Sequence, residues 1–151
     1  MSKLVRTDSN HPDFEKLVIE LDKDLAAKNG EKNDFFAQYN KIDLIRNVIL
    51  AYDNDTVVGC GAMKEYEDGT MEIKRMFVPL ENRGKGIAGQ ILKELQVWAK
   101  ELGYQKCVLE TGDKMIGAIG LYKKNNFVVI PNYGQYVSEE SSICFEKLLT
   151  E

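Results

Sequence analysis

The six residues Arg83-Gly84-Lys85-Gly86-Ile87-Ala88 stand between an apolar, strand-like run and an amphipathic helix. Upstream, Met71 to Val78 alternates as a strand does. Downstream, Ile87, Ile91, Leu92, Leu95, Ala99 and Leu102 recur at helical spacing. A strand that turns into a helix through two glycines and two cations is suited to gripping an anion. Glycine lets the backbone come close to a ligand. The first N–H groups of a helix lack intrahelical partners, and the helix dipole adds partial positive charge at the same end. The plain alternative is a solvent-exposed turn that happens to hold Gly, Arg and Lys, because short glycine motifs alone are weak evidence.

Two known phosphate motifs can be compared with it. A P-loop places Ser or Thr after Gly-Lys, whereas Gly86 and Ile87 follow Lys85 here. The dinucleotide pattern GxGxxG is matched in its letters by Gly84 to Gly89, with Glu110 near the distance of about 20 residues where an acidic ribose ligand would stand. That motif, however, belongs to a first strand-helix unit, and here it sits mid-chain behind strands that do not alternate with helices.

At 151 residues the chain reads as a single domain over 1–151, long enough to hide roughly 68–70% of its unfolded surface. A net charge of -4 speaks against a general nucleic-acid binder, which is usually basic. Cys60, Cys107 and Cys144 each lie in an apolar strand-like run with no CxxC spacing, which reads as buried thiols in a reducing compartment. With His11 as the lone histidine, no zinc ligand set is legible and no metal is expected. No leader or membrane-spanning run is legible either, so no membrane association and a cytoplasmic location are expected.

Along the chain, Asp13 to Asn29 predicts a helix with Phe14, Leu17, Val18, Leu21 and Leu25 as its apolar stripe, capped by Asn10 or Asp13 and ended by Gly30. Residues 33–40 predict a second short helix or loop. Strands are predicted over Ile45–Tyr52, Thr56–Lys64 and Thr70–Val78, forming an antiparallel meander with turns at Asp53-Asn54-Asp55 and Tyr66–Gly69. A long helix over Lys85–Leu102 follows, then a strand over Lys106–Glu110 and a helix over Met115–Asn125 ended by Asn126. Strands over Phe127–Ile130 and Ile143–Leu148 close the chain.

Two motifs together resemble the GNAT superfamily of N-acetyltransferases, over a span of roughly Asp43 to the C-terminus. The family's pyrophosphate pattern, Gln or Arg, two residues, Gly, one residue, Gly or Ala, is matched by Arg83, Gly86 and Ala88. Its A-x-x-L-Y-x-x-x-G-F signature is matched by Ala118 to Phe127, with Asn126 where Gly is usual. The resemblance implies an α+β fold: a single mixed, mostly antiparallel sheet flanked by helices, the acyl-CoA N-acyltransferase fold. It also implies acetyl-CoA as co-substrate and transfer of its acetyl group to a primary amine by direct attack in a ternary complex.

Carried onto this chain, the resemblance assigns the cofactor to the backbone of Met76, Phe77 and Val78 and to the segment Arg83, Gly84, Lys85, Gly86, Ile87 and Ala88. Tyr122 matches the tyrosine that stands near the leaving sulfur. Glu72, eleven residues ahead of Arg83, matches the spacing of the catalytic glutamate in the histone-acetylating branch. Strand alternation would put Glu72, Lys74 and Met76 on one face unless a bulge intervenes. Met115 stands where many members have a cofactor-contacting Asn, which leaves Thr111 or Gly112 as replacements. The acceptor is expected near Phe35, Phe36, Tyr39, Tyr133 and Tyr136, as an amine with an apolar body; packing of the sheet edge is the alternative for these tyrosines. A small or amino-acid-like amine is the expected acceptor. A protein lysine or N-terminus, an acyl-CoA sensor without turnover, and a dinucleotide-binding domain are the rivals. Symmetric dimers are common in the family, and the sequence leaves the assembly open.

Overall fold

The structure is a computed structural model and describes residues 2–29 and 45–149; the segment 33–40 lies outside the described residues. Seven strands form one mixed sheet in the order β1-β2-β3-β4-β5-β7-β6. They are β1 (Lys3–Thr7), β2 (Asn47–Asp53), β3 (Thr56–Glu67), β4 (Thr70–Phe77), β5 (Lys106–Gly112), β6 (Val128–Ile130) and β7 (Ser142–Leu148). The helices among the described residues are α1 (Pro12–Asn29), α2 (Ile87–Glu101) and α3 (Ile116–Lys124). The pairs β1–β2, β2–β3, β5–β7 and β6–β7 are antiparallel, while β4 and β5 run parallel. The expected mixed, mostly antiparallel sheet is therefore present. The chain divides into two compact units, one made of Met1–Lys64 and Ile73–Leu95, the other of Glu65–Glu72 and Gln96–Glu151.

In the first unit, Phe14, Leu17, Val18 and Leu21 of α1 pack on Val48, Leu50, Cys60, Ala62 and Phe77 of the strands. Burying each large apolar side chain contributes about 1.5–3 kcal/mol, so this stripe is what holds α1 to the sheet. The helix cap is His11, not Asn10 or Asp13. The His11 ring Nδ1 accepts the Asp13 N–H at 3.1 Å, and its carbonyl accepts from Phe14 and Glu15. Asp13 is engaged elsewhere, accepting the Tyr52 hydroxyl at 2.5 Å. The strand β1 was not legible, because Lys3 to Thr7 is short and only partly buried; its register against β2 places Leu4 beside Ala51 and Val5 beside Leu50.

The helix α2 lies close on β3 because β3 is bare at two places. A Cβ on Gly59 would stand 2.9 Å from Ile87, and one on Gly61 would stand 2.6 Å from the Met76 sulfur and 2.7 Å from Ile91. Leu102, expected in the apolar stripe of α2, is 49% exposed, because the helix stops at Glu101 and Leu102 falls in the turn beyond it.

Within β4, Arg75 has a φ of 60°, a left-handed backbone that costs a non-glycine residue about 1–3 kcal/mol. This kink interrupts the pleat, so Glu72, Lys74 and Met76 cannot be placed on one face by alternation. Arg75 donates to Asp22 of α1 at 2.8 Å, and its carbonyl accepts the Cys60 thiol at 3.3 Å. Met76, the next residue, packs with Ile91 and Leu95 of α2 around Gly61.

In the second unit, β5 is buried on both faces along Cys107, Val108 and Leu109 and pairs with β7 over its whole length. Asn126 has a φ of 69°, the left-handed position expected of it after α3. Cys60, Cys107 and Cys144 are free and buried, as their apolar settings suggested.

Candidate active site

The first unit carries the candidate anion loop. A 3-10 turn, Leu80–Asn82, follows the end of β4 and delivers the chain to Arg83. The Arg83 Nε–H donates to the Val78 carbonyl at 2.8 Å, with its guanidinium carbon 5.9 Å from the Phe77 ring centre. Gly84 and Gly86 have φ of 80° and 79°, and a Cβ on either would meet no atom within 4 Å. Only glycine enters this conformation without strain, and the space beside both is open to a ligand. The Gly86 carbonyl accepts the Gln90 N–H at 3.1 Å, which makes Gly86 the residue from which α2 springs. The N–H groups from Gly84 to Ala88 have no backbone acceptor among the described residues. Lys85 is exposed beside them. Unsatisfied N–H groups, a helix dipole and a cation converge here, which is the donor set a pyrophosphate requires.

The second unit carries a buried carboxylate held by tyrosine. Glu72 is 6% exposed, and the Tyr133 hydroxyl donates to its Oε2 at 2.7 Å. Tyr133 meets Tyr66 edge-on at a centroid distance of 4.9 Å and Tyr136 at 5.8 Å. Burial, then the adjacent Glu72 carboxylate, pushes the Tyr133 phenol far above its ordinary range. The phenol therefore keeps its proton in the hydrogen bond to Glu72. Tyr136 is raised in the same direction by burial, with Glu110 and Glu72 adding to it. Glu110 in turn accepts the Ser142 hydroxyl at 2.7 Å.

Tyr122, on α3, is buried between Phe127 and Phe145 at centroid distances of 5.9 and 5.7 Å. Burial, with Glu110 contributing, raises its hydroxyl well above the usual phenol range. It can donate a hydrogen bond while keeping its proton. Thr111 is buried at the end of β5, and the Gly112 carbonyl accepts the Met115 N–H at 3.0 Å, closing the turn into α3.

The geometry thus joins Arg83 with Phe77 and Val78, and Glu72 with Tyr133 and Tyr136. Phe35, Phe36 and Tyr39 lie outside the described residues. Two participants escaped the sequence reading. Tyr66 was assigned to a turn, but β3 runs on to Glu67 and carries it to Tyr133. Asn132 has no role in the sequence reading, although the Pro-Asn pair before two tyrosines marks an unusually specific loop. Among the described residues no group of three or more His, Cys, Asp or Glu side chains is placed to hold a metal ion, and no helix is long and apolar enough to cross a membrane.

The model of the acetyltransferase (GNAT) family matches residues 11–127. An IAA acetyltransferase of Azospirillum brasilense is 36% identical over 102 residues, which make up 67% of this chain and 67% of that protein. Among solved structures, a Klebsiella pneumoniae protein superposes with a TM-score of 0.82 at 22% identity over 99% of both chains. A GNAT family acetyltransferase of Elizabethkingia anophelis, solved with acetyl-CoA bound, has a TM-score of 0.70 at 22% identity over 97% of both chains.

Proposed function

From the premise that this chain belongs to the acetyltransferase (GNAT) family and is an acetyl-CoA-dependent acyltransferase, we propose that it acetylates a small primary amine, with Glu72 as the base. The observation that carries this reading is the buried Glu72 carboxylate, anchored by Tyr133 on the strand that leads into the anion loop. The Azospirillum brasilense relative, named for a single small acceptor, supports a small molecule over a protein. The three buried, unpaired thiols agree with a cytoplasmic setting.

The loop N–H groups from Gly84 to Ala88 hold the coenzyme A pyrophosphate, with Lys85 adding charge. The backbone of Met76, Phe77 and Val78 lines the pantetheine arm as an added strand would. An amine like that of lysine has a pKa near 10.4 and reaches the site as an ammonium ion. Glu72 takes one proton from it. The freed lone pair then attacks the thioester carbonyl, so a carbon–nitrogen bond forms as the carbon–sulfur bond breaks. Coenzyme A departs as a thiolate, a good leaving group with a pKa near 8.5. Tyr122 steadies that thiolate by donating a hydrogen bond, and the second proton, shed by the acylated nitrogen, passes through solvent to the thiolate.

The test is thiol release from acetyl-CoA across small amines, amino acids and lysine peptides, with mass spectrometry of the products. The expected result is a small amine heavier by one acetyl group. Turnover with lysine peptides alone would reject the small-molecule acceptor. Tight acetyl-CoA binding without thiol release from any acceptor would favour a sensor.

A further inference from the structure

We propose that Tyr133 is a positioning residue for Glu72, and that Asn132 is the pin that holds Tyr133 in place. The proposal rests on the reading of Glu72 as the base and adds how that base is aimed.

The segment from Pro131 to Ser141, between β6 and β7, carries no strand, yet its backbone is tied at several points. Asn132 Nδ2 lies 3.1 Å from the Tyr136 carbonyl, 3.0 Å from that of Glu139 and 3.1 Å from that of Ser142. An amide nitrogen has two hydrogens, so three carbonyls share them, and one side chain gathers the start, middle and end of the segment. Glu139 adds a second knot, accepting the Ser141 N–H and hydroxyl at 3.2 and 2.7 Å. The Tyr136 N–H donates to the Tyr133 carbonyl at 2.9 Å, which closes the turn that bears both rings.

Tyr133 is thereby fixed at both ends. Its backbone follows Asn132 directly, and its ring is wedged between the edges of Tyr66 and Tyr136. Its hydroxyl then meets Glu72 Oε2 from one direction. A glutamate side chain has three rotatable bonds, and freezing them before the acceptor arrives removes an entropic cost from the transition state. Tyr133 keeps its proton throughout. The acceptor's proton goes to the Glu72 carboxylate, and no proton needs to pass through the phenol.

A function through Glu72 differs measurably from one beside it. The parent, Tyr133→Phe, Glu72→Gln and the double variant form a thermodynamic cycle in kcat/KM for the acceptor amine. Tyr133→Phe removes one hydroxyl and keeps the ring in its stack. It should lower kcat/KM roughly tenfold, the worth of one hydrogen bond to a charged group, with KM for acetyl-CoA unchanged. The loss should fade as pH rises toward the amine's own pKa. The double variant should be no slower than Glu72→Gln alone. Asn132→Ala, which keeps both tyrosines in the chain but removes the ties that hold Tyr133 in position, should repeat the pattern and also have no effect in the Glu72→Gln background. Equal fold losses from Tyr133→Phe in both backgrounds would overturn the proposal and make Tyr133 an independent contact. Parent-like kinetics of Tyr133→Phe would overturn it as well. A Glu72→Gln enzyme with the parent's rate at every pH would instead remove the base, and the positioning proposal with it.

Discussion

Arg83 fastens the end of the strand before it, since its Nε–H donates to the Val78 carbonyl at 2.8 Å while the guanidinium lies over the Phe77 ring, 5.9 Å from its centre. This links the backbone proposed for the pantetheine arm to the loop proposed for the pyrophosphate. The planar guanidinium can donate from Nε and still present its other N–H groups, whereas a lysine ammonium cannot copy that fork. Arg83→Lys should therefore raise KM for acetyl-CoA about tenfold, or about 1.4 kcal/mol, with kcat nearly unchanged. A parent-like KM would mean that charge alone is required at this position.

Gly86 tests the anion loop directly. Its φ of 79° strains any other residue, and the space beside it is open. Gly86→Glu would set a carboxylate where phosphate belongs, next to N–H groups that it could itself satisfy. The variant should fold, with a Tm a few degrees lower from about 1 kcal/mol of backbone strain. It should lose measurable acetyl-CoA binding by calorimetry. Binding at the parent's affinity would show that the phosphates lie elsewhere.

The strand, two glycines and helix stripe of the loop proposed to hold the anion were legible in the sequence because they are adjacent, within about 20 residues of chain. The left-handed kink at Arg75 was not, since arginine carries no signature of a positive φ and its guanidinium is held by a hydrogen bond to Asp22 of α1. Glu72 and Tyr133 each stand out in the sequence, one as a candidate base and one at the acceptor site, but their pairing does not: a separation of 61 positions is bridged only by the folded sheet and a loop pinned through Asn132. The pair Gly59 and Gly61 read as ordinary strand residues, and their purpose depends on a helix that comes nearly thirty residues later. What the sequence could not carry was the phase of β4 and the pairing of distant side chains.

Glu72→Gln separates proton removal from binding. For an amine of pKa near 10.4, only about one molecule in 2,500 is unprotonated at pH 7. A positioned base is worth about 10²- to 10⁴-fold. The variant must rely on amine that is already free, so its kcat/KM should climb tenfold per pH unit while the parent's climbs less steeply. The deficit is thus widest at low pH and narrows toward pH 9–10. A deficit that is constant with pH would assign Glu72 to structure instead of proton transfer.

Cys60 gives an expectation for stability at alkaline pH. Burial pushes its thiol up to about 12, although the nearby Arg75 charge opposes the shift, and it donates its hydrogen to the Arg75 carbonyl. In the unfolded chain a thiol ionises near 8.5, while in the folded protein it stays neutral until about 12. Its contribution is therefore complete below the unfolded pKa and is lost as pH rises from there toward the folded value. Across that window one such group steepens the loss of unfolding free energy by about 1.4 kcal/mol per pH unit. Cys60→Ala should be less stable at pH 7 by about 1 kcal/mol, because the hydrogen bond is gone. Its stability should nevertheless fall less steeply above pH 9 in urea titrations at successive pH values. Parallel curves for variant and parent would show that Cys60 ionises in the folded state as readily as in the unfolded chain.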